Sequence, residues 1–164
     1  MALSRFELTY SESLFDGWLA KESLTLRAAD GMANVIASSE PLDPATDSKA
    51  YAAAQDQVLG ELPGFLQHAF ERREMFGDRR GFMRRFEWLE PDGVAIMQVQ
   101  LYYADAGRGY TATATTPKSE FGRYEFTLED VLESLVIKPA GEPGDPFAAP
   151  PAALSIPDEQ ARLD

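Results

Sequence analysis

Two glutamines separated by one residue carry the side chains best suited to recognition chemistry in this sequence. Gln98 and Gln100 lie in the run VAIMQVQLYY, which spans residues 94–103. The rest of the run is apolar and typical of a β-strand, in which side chains alternate between the two faces of a sheet. Both amides therefore belong to one face, where each can donate and accept hydrogen bonds. Because an unpaired buried amide costs about 1–3 kcal/mol, each of them needs a partner.

The strands on either side of this run supply the neighbours of the two amides. A three-residue turn at 91–93 places the preceding strand opposite the glutamines, and a glycine-bearing turn returns the following strand with Ala104 facing Tyr110. In this register, large aromatic and small side chains share the face of the amides and form a trough. We predict a binding site there, made of Phe82, Arg84, Phe86, Trp88, Gln98, Gln100, Tyr102, Ala112 and Ala114. The alternative is that Arg84, water or a helix end pairs with the amides inside the fold.

Six arginines form a second group with recognisable chemistry. They lie on two strands that are predicted to pair, where they could dock a phosphate or an acidic partner. The alternative is a solvated ladder in which the arginines alternate with Glu71, Glu74 and Glu87. The six are Arg72, Arg73, Arg79, Arg80, Arg84 and Arg85.

Catalytic and metal-binding patterns are missing from the sequence. The chain has no cysteine, and its single histidine is His68, which is interpreted as an ordinary strand residue. No serine stands in a G-x-S-x-G context, and there is no glycine-rich phosphate loop. We therefore expect no catalytic residue, no bound metal, no cofactor and no enzymatic activity.

Composition narrows the classes of partner. The 164 residues are 45% hydrophobic, enough for a folded core, and carry a net charge of -12. This charge disfavours nucleic acid and anionic membranes as partners. No segment approaches the roughly 20 apolar residues of a membrane span, and the first residues lack the apolar core of a signal peptide. With the absence of cysteine, these features predict a cytoplasmic protein.

The periodicity predicts the elements that must position these side chains. Strands are expected at 5–8, 23–28 and 33–39, and a helix at 48–62 with Asp47 as its N-cap. Four strands joined by short turns follow from residue 65 to residue 116, and a second helix follows with Thr127 as its N-cap. The order indicates an α+β fold, an antiparallel β-sheet meander flanked by helices. One domain is predicted over 1–138, and a Pro/Ala-rich C-terminal tail over 139–164.

Several short stretches, in this order, resemble the DcrB-like family of the PsbP-like superfamily. FELTY is followed by FDGW, then by ANVIAS, an alanine-rich helix ending in QDQVLGELPGF, and GDRRGFMRRFEW. IMQVQLYY, YTATATT and FTLEDVLESLVI complete the series, so the resemblance runs from about Phe6 to Ile137. It implies a PsbP-like α/β/α sandwich without enzymatic activity. Relatives include envelope lipoproteins and type VI secretion chaperones that shield hydrophobic helices of toxins as dimers.

These observations together predict a non-enzymatic binding module. The preferred hypothesis is a chaperone-like or protein-interaction domain whose sheet face receives a hydrophobic segment of a protein partner, and the resemblance adds the expectation of a homodimer. The alternatives are a pocket for a small amphipathic ligand under the same aromatic rings, or a protein with no link to type VI secretion. A symmetric dimer with an open trough would favour the first hypothesis, and convergent polar contacts in a closed pocket would favour the second.

Overall fold

A six-stranded antiparallel sheet forms the centre of the molecule in a computed structural model that describes residues 22–137. The strands are β1 (Glu22–Arg27), β2 (Asn34–Pro41), β3 (Leu66–Met75), β4 (Arg79–Leu89), β5 (Ala95–Asp105) and β6 (Arg108–Pro117). Across the sheet they follow the order β1-β2-β6-β5-β4-β3. The α+β class and the four-stranded meander are thus confirmed, while the predicted strand at 5–8 and the tail at 139–164 lie outside the described residues.

The helices lie on both faces of this sheet. The first, α1 (Ser48–Ala54), and the second, α2 (Asp56–Gly60), follow β2, and α3 (Phe121–Ser134) follows β6 after one 3-10 turn. We call the face that bears Gln98 and Gln100 the glutamine face, and the opposite one the α3 face. Helix α1 packs on the glutamine face through Tyr51 and Ala52, whereas α3 packs on the other through Leu128 and Leu132.

The helix predicted at 48–62 is divided in two. Asp47 caps α1 as expected, because its carboxylate accepts a hydrogen bond of 2.7 Å from the backbone N–H of Ala50. Gln55 separates α1 from α2, and its N–H bonds to the carbonyl of Ala52 at 3.2 Å, in the tighter pattern typical of helix ends. The prediction of a single helix was therefore wrong. It was made because the sequence carries no helix breaker at this point.

Helix α3 begins earlier than its sequence pattern indicates. It starts at Phe121, after a cap at Glu120, so Thr127 is an exposed residue inside the helix and not its N-cap. Phe121 and Tyr124 pack against the core cluster of the α3 face, and this burial stabilises the additional turns.

The hairpins fix which side chains share a face. The β4–β5 register is confirmed: Phe86 pairs with Gln98, Arg84 with Gln100, and the turn closes through a bond of 2.9 Å from the N–H of Glu90 to the carbonyl of Val94.

The β5–β6 register differs from the prediction by one residue. Ala104 faces Gly109, not Tyr110, because the hairpin closes through a two-residue turn at Ala106 and Gly107. Both turn residues have positive φ, of 47° and 79°, as a type I′ turn requires. A shift of one residue exchanges the faces of the whole strand, so every β6 side chain lies on the face opposite to the predicted one.

Candidate binding face

The threonines of β6 surround the two glutamines, in place of the predicted alanines. Gln98 pairs across the strands with Thr115, and Gln100 with Thr113. Ala112 and Ala114 lie on the α3 face and are buried in its core, so their assignment to the glutamine face was wrong. The alternation in YTATATT indicates a strand with small apolar side chains on one face and threonines on the other. It does not indicate which of the two sets lies on the glutamine face.

Both glutamines are half-buried and find partners inside the chain. The amide of Gln98 donates a hydrogen bond of 3.0 Å to the hydroxyl of Thr115. The carbonyl oxygen of Gln100 accepts one from the hydroxyl of Tyr102. The sequence analysis had offered Arg84, water or a helix end as internal partners of the amides, and neither Thr115 nor Tyr102 is among them.

Tyr102 is enclosed beneath α1. It is 1% exposed, and the ring of Tyr51 meets it edge-on with centroids 6.2 Å apart. Burial raises the pKa of Tyr102 to about 12, an effect that the nearby Arg84 guanidinium opposes. The phenol therefore stays protonated at neutral pH and remains the donor to Gln100.

The aromatic side chains of the predicted trough do share the glutamine face, but most of their surface is covered. Phe86 is 0% exposed and packs against Phe65, with ring centroids 5.3 Å apart. Phe82 stacks on Phe70 at 5.4 Å, and both Phe82 and Trp88 are half-buried. An open aromatic trough is thus absent from this structure, because α1, α2 and neighbouring side chains occupy the space.

Arg84 is the most unusual residue of this group, since it is charged and only 2% exposed. Its guanidinium donates to the carboxylate of Asp56 and, at 3.3 Å, to the carbonyl of Ala52. It also lies 4.9 Å from the ring centroid of Phe70, a cation–π contact. Arg84 thereby connects the end of α1 to the start of α2, while its Nε has no hydrogen-bond partner among residues 22–137.

Among residues 22–137, no helix packs over the centre of the remaining part of the glutamine face. We call this part the open half, and it consists of the outward side chains of β1, β2 and β6 next to the glutamines. Ile36 is 42% exposed and Thr25 is exposed, while the others are half-buried. These side chains are uncharged, whereas Arg27, the exposed last residue of β1, lies opposite Asn34 at the edge of the open half. The open half comprises Thr25, Asn34, Ile36, Thr113 and Thr115, with Gln98 and Gln100 at its border.

The arginine cluster is divided between the faces, and most of its members have partners. Arg73 pairs with Glu133 at 2.8 Å and Arg85 with Glu125 at 3.3 Å, both on the α3 face. These two ion pairs line a cleft of about 310 Å³, partly open to solvent, between α3 and strands β3–β5. On the glutamine face, Arg72 lies over the ring of Phe82 at 5.9 Å. The geometry resembles the solvated ladder more closely than a single anion site.

His68 lies at an irregularity of β3 and contacts a carboxylate. Its Nε2 is 2.9 Å from Glu87, which also meets Lys118 at 2.7 Å. These hydrogen bonds, first from Lys118 and then from His68, lower the pKa of Glu87 below its usual value. Within residues 22–137, no group of three histidine or acidic side chains converges as a metal site, and no helix has the length and apolarity to cross a membrane.

Comparison with known proteins finds similar solved structures only. No family model matches the sequence, and no curated protein matches it. A Pseudomonas aeruginosa protein of unknown function, PA94, described as a putative regulator, is 18% identical, with a TM-score of 0.58 over 76% of this chain and 89% of that chain. LpqN, involved in cell envelope biogenesis of Mycobacterium tuberculosis, is 18% identical, with a TM-score of 0.48 over 65% of this chain and 64% of its own. The likeness to PA94 shows a shared fold.

Proposed function

We propose that this chain is a non-enzymatic protein-interaction module whose glutamine face receives an apolar segment of another protein. The observation that carries the proposal is the open half. Its own side chains carry no formal charge, with Arg27 beside Asn34 at its edge, on a chain whose net charge is -12. Depletion of charged side chains is a property of the centres of protein interfaces. The DcrB-like resemblance agrees in kind with this proposal, because its relatives include chaperones for hydrophobic helices.

The chemistry of the open half suits a mostly apolar ligand with a few polar groups. Ile36 and the methyl groups of Thr113 and Thr115 offer apolar contact, worth about 25 cal/mol per Å² before the cost of association. The threonine hydroxyls and the amides of Gln98 and Gln100 offer hydrogen bonds that fix the position of the ligand. The proposal includes a chaperone-like role and the cytoplasmic location expected from the cysteine-free sequence.

The small-ligand alternative depends on space beneath the aromatic rings. Phe65 fills the position over Phe86, and Tyr51 fills the position over Tyr102. The chain's own side chains thus occupy the space that such a ligand would need. We therefore propose binding on the surface of the glutamine face and not in a pocket beneath the rings.

A direct binding experiment tests the proposal. The probe is a fluorescein-labelled leucine–alanine peptide of about 20 residues, a length that spans a small domain as a helix, with serine and glutamine at its ends. Fluorescence anisotropy should show saturable binding to the wild-type chain. A control peptide in which glutamine replaces each leucine should bind at least about ten-fold more weakly, a difference of about 1.4 kcal/mol.

A matched pair of charge substitutions locates the binding. Thr113→Lys places an ammonium on the open half, and we expect at least about ten-fold weaker binding because the peptide would desolvate that charge. Thr127→Lys adds the same charge at an exposed position of α3 and should leave binding unchanged. The proposal is wrong if the wild-type chain does not bind the peptide, or if both variants weaken binding equally.

A further inference from the structure

A column of three carboxylates lines the helical side of the cleft on the α3 face. We call the cleft of about 310 Å³ between α3 and strands β3–β5 the α3 cleft. Glu125, Glu129 and Glu133 follow one another at intervals of about one helical turn, so they share one side of α3. Arg85 pairs with Glu125 at 3.3 Å, and Arg73 pairs with Glu133 at 2.8 Å. The side chain of the middle carboxylate, Glu129, is half-buried and has no hydrogen bond or ion pair with another residue of 22–137.

The sheet side of the α3 cleft offers Glu129 no cation. At the position between the two arginines, Glu71 of β3 pairs with Met83 of β4, which is buried and apolar. Glu71 is exposed and also lacks an ion pair within the described part of the chain. The middle of the cleft is therefore negative between two neutral ion pairs. Because like charges spaced one turn apart destabilise a helix, and because partial burial removes water from a carboxylate, an unpaired Glu129 is unfavourable.

The floor of the α3 cleft indicates which cation could fill this position. Met83, Val99, Leu128 and Leu132 line it and are all apolar, and its enclosed part admits a group about the size of one water molecule. A primary ammonium is close to this size and has three donors, and a methylene chain attached to it can lie along apolar side chains. A metal ion would need several oxygen ligands, whereas no three acidic or histidine side chains converge as a metal site among residues 22–137.

We propose that the α3 cleft binds an aliphatic primary ammonium group, with Glu129 as its counter-ion and Met83 beneath its methylene chain. The bound cation completes the row of ion pairs that Arg85 and Arg73 form at either end. The net charge of -12 favours the approach of a cation. This site lies on the face opposite to the open half, so it does not depend on the proposed function. A lysine side chain and a free alkylamine share this chemistry, and separate probes distinguish them.

Amide NMR spectra of the isotope-labelled chain test the site. The probe is n-butylammonium chloride, with sodium chloride added to keep the ionic strength constant. Amide signals of residues 125–133 should shift and saturate. Butyltrimethylammonium has the same charge without an N–H donor, and n-butanol has the same chain without a charge, so each should bind at least about ten-fold more weakly. Equal binding of butylammonium and butyltrimethylammonium would mean unspecific attraction of cations and would overturn the proposal.

A second probe identifies the source of the ammonium group. Nα-acetyl-lysine methylamide presents its side chain as a protein lysine does. If it binds as tightly as butylammonium, then the site accepts a lysine of a partner protein. If butylammonium binds and the lysine probe does not, then the proposed ammonium site accepts a free amine. The absence of saturable shifts with both probes would refute the site, while peptide binding on the open half could still be observed.

A matched pair of neutralising substitutions locates the counter-ion. Glu129→Gln keeps the shape of the side chain and removes its charge, so butylammonium should bind at least about ten-fold more weakly. Asp130→Asn removes the same charge at the next, exposed position of α3 and should leave binding unchanged. Both variants change the net charge equally, which keeps the long-range attraction of cations the same. Wild-type affinity in Glu129→Gln would contradict the assignment.

The stability of the protein without ligand gives a readout that does not depend on the probes. Glu129→Gln relieves the repulsion from Glu125 and Glu133, so the variant should unfold at the same urea concentration as the wild type or at a higher one. Saturating butylammonium should raise Tm of the wild type and not of the variant. If Glu129→Gln unfolds at a lower urea concentration than the wild type, then the carboxylate already has a stabilising partner in the fold, and the proposal is wrong.

Discussion

The two faces of the sheet are covered by helices in different ways. On the α3 face, one helix of 14 residues buries Leu128 and Leu132 in a large core that also includes Val99 and Leu101. On the glutamine face, two helices of seven and five residues cover one half, and no other helix within residues 22–137 covers the second half. Area and apolar contact stabilise the first arrangement, and a few polar bonds with one buried arginine stabilise the second.

This difference concentrates the buried apolar contacts on one face of the sheet. A continuous apolar core provides most of the folding free energy, because burial is the dominant favourable term. The face that carries less of this core can exchange its contacts at lower cost. The following four predictions test the contrast, in order of decreasing effect.

The largest effect is expected from truncating the core of the α3 face. Leu132→Ala should lower the free energy of unfolding by about 2–5 kcal/mol, because Leu132 is buried among core side chains. Leu59→Ala, in α2, should cost about 2 kcal/mol or less and mainly accelerate hydrogen–deuterium exchange of the amides of residues 48–60. Urea unfolding measures both values. A larger loss for Leu59→Ala would reverse the assignment of the two faces.

The second prediction concerns the buried guanidinium. Asp56→Ala leaves Arg84 with the carbonyl of Ala52 and should cost about 1–3 kcal/mol; solvent already screens the ion pair, because the side chain of Asp56 is 64% exposed. Arg84→Met removes the buried charge and leaves Asp56 to be solvated by water, so it should cost less, about 1 kcal/mol. Thermal and urea unfolding of the two variants decide the order. If Arg84→Met lowers the free energy of unfolding more than Asp56→Ala does, then the guanidinium stabilises the fold through contacts other than its ion pair with Asp56.

The third prediction distinguishes the two glutamines. Gln100→Ala removes the acceptor of the buried Tyr102 hydroxyl and should cost about 1–2 kcal/mol. Gln98→Ala removes a bond to a half-buried threonine and should cost about 0.5 kcal/mol. Both changes should weaken binding of the leucine–alanine peptide. Equal stability losses in urea would mean that both amides are structural supports of the sheet.

The smallest effect is the response of the α3 face to acid. The hydroxyl of Tyr124, then the backbone N–H of Met32, and Arg123 lower the pKa of Asp30, which joins the β1–β2 turn to α3. A carboxyl group whose pKa is lower in the folded than in the unfolded protein stabilises the fold at pH values above its unfolded pKa of about 4. This contribution disappears as the pH falls through the pKa of the folded protein. Asp30→Asn should therefore lower Tm at pH 7 but not at about pH 2. Asp130→Asn, an exposed change on the same helix, is the control.

Local signals in the sequence predicted some elements well. The turn at Pro91-Asp92-Gly93 gave the β4–β5 register, including the pairing of Arg84 with Gln100. Asp47 was predicted as the cap of α1, because a cap depends on residues within one helical turn. The glutamines were placed correctly beside Phe86 and Tyr102 for the same reason, since a short hairpin determines the register of its strands.

The errors have other origins, which are the geometry of one turn and two contacts between residues distant in sequence. Residues 111–115 alternate Thr and Ala, so the sequence fits either assignment of faces, and the turn geometry at Ala106 and Gly107 selects one. The division of the first helix depends on Arg84, which reaches it from β4. The start of α3 depends on Phe121 packing against the sheet. No local pattern in the sequence contains these contacts.

The position of β2 in the sheet also has a consequence for the order of folding. Strands β3 to β6 form a meander of hairpins between neighbours in sequence, whereas Asn34 of β2 pairs with Thr115 of β6, the last strand of that meander. Closing so long a loop carries an entropic cost that local hairpins avoid. We therefore expect a folding nucleus in the meander, with high φ-values at the β4–β5 hairpin, and late docking of the β1–β2 hairpin onto β6.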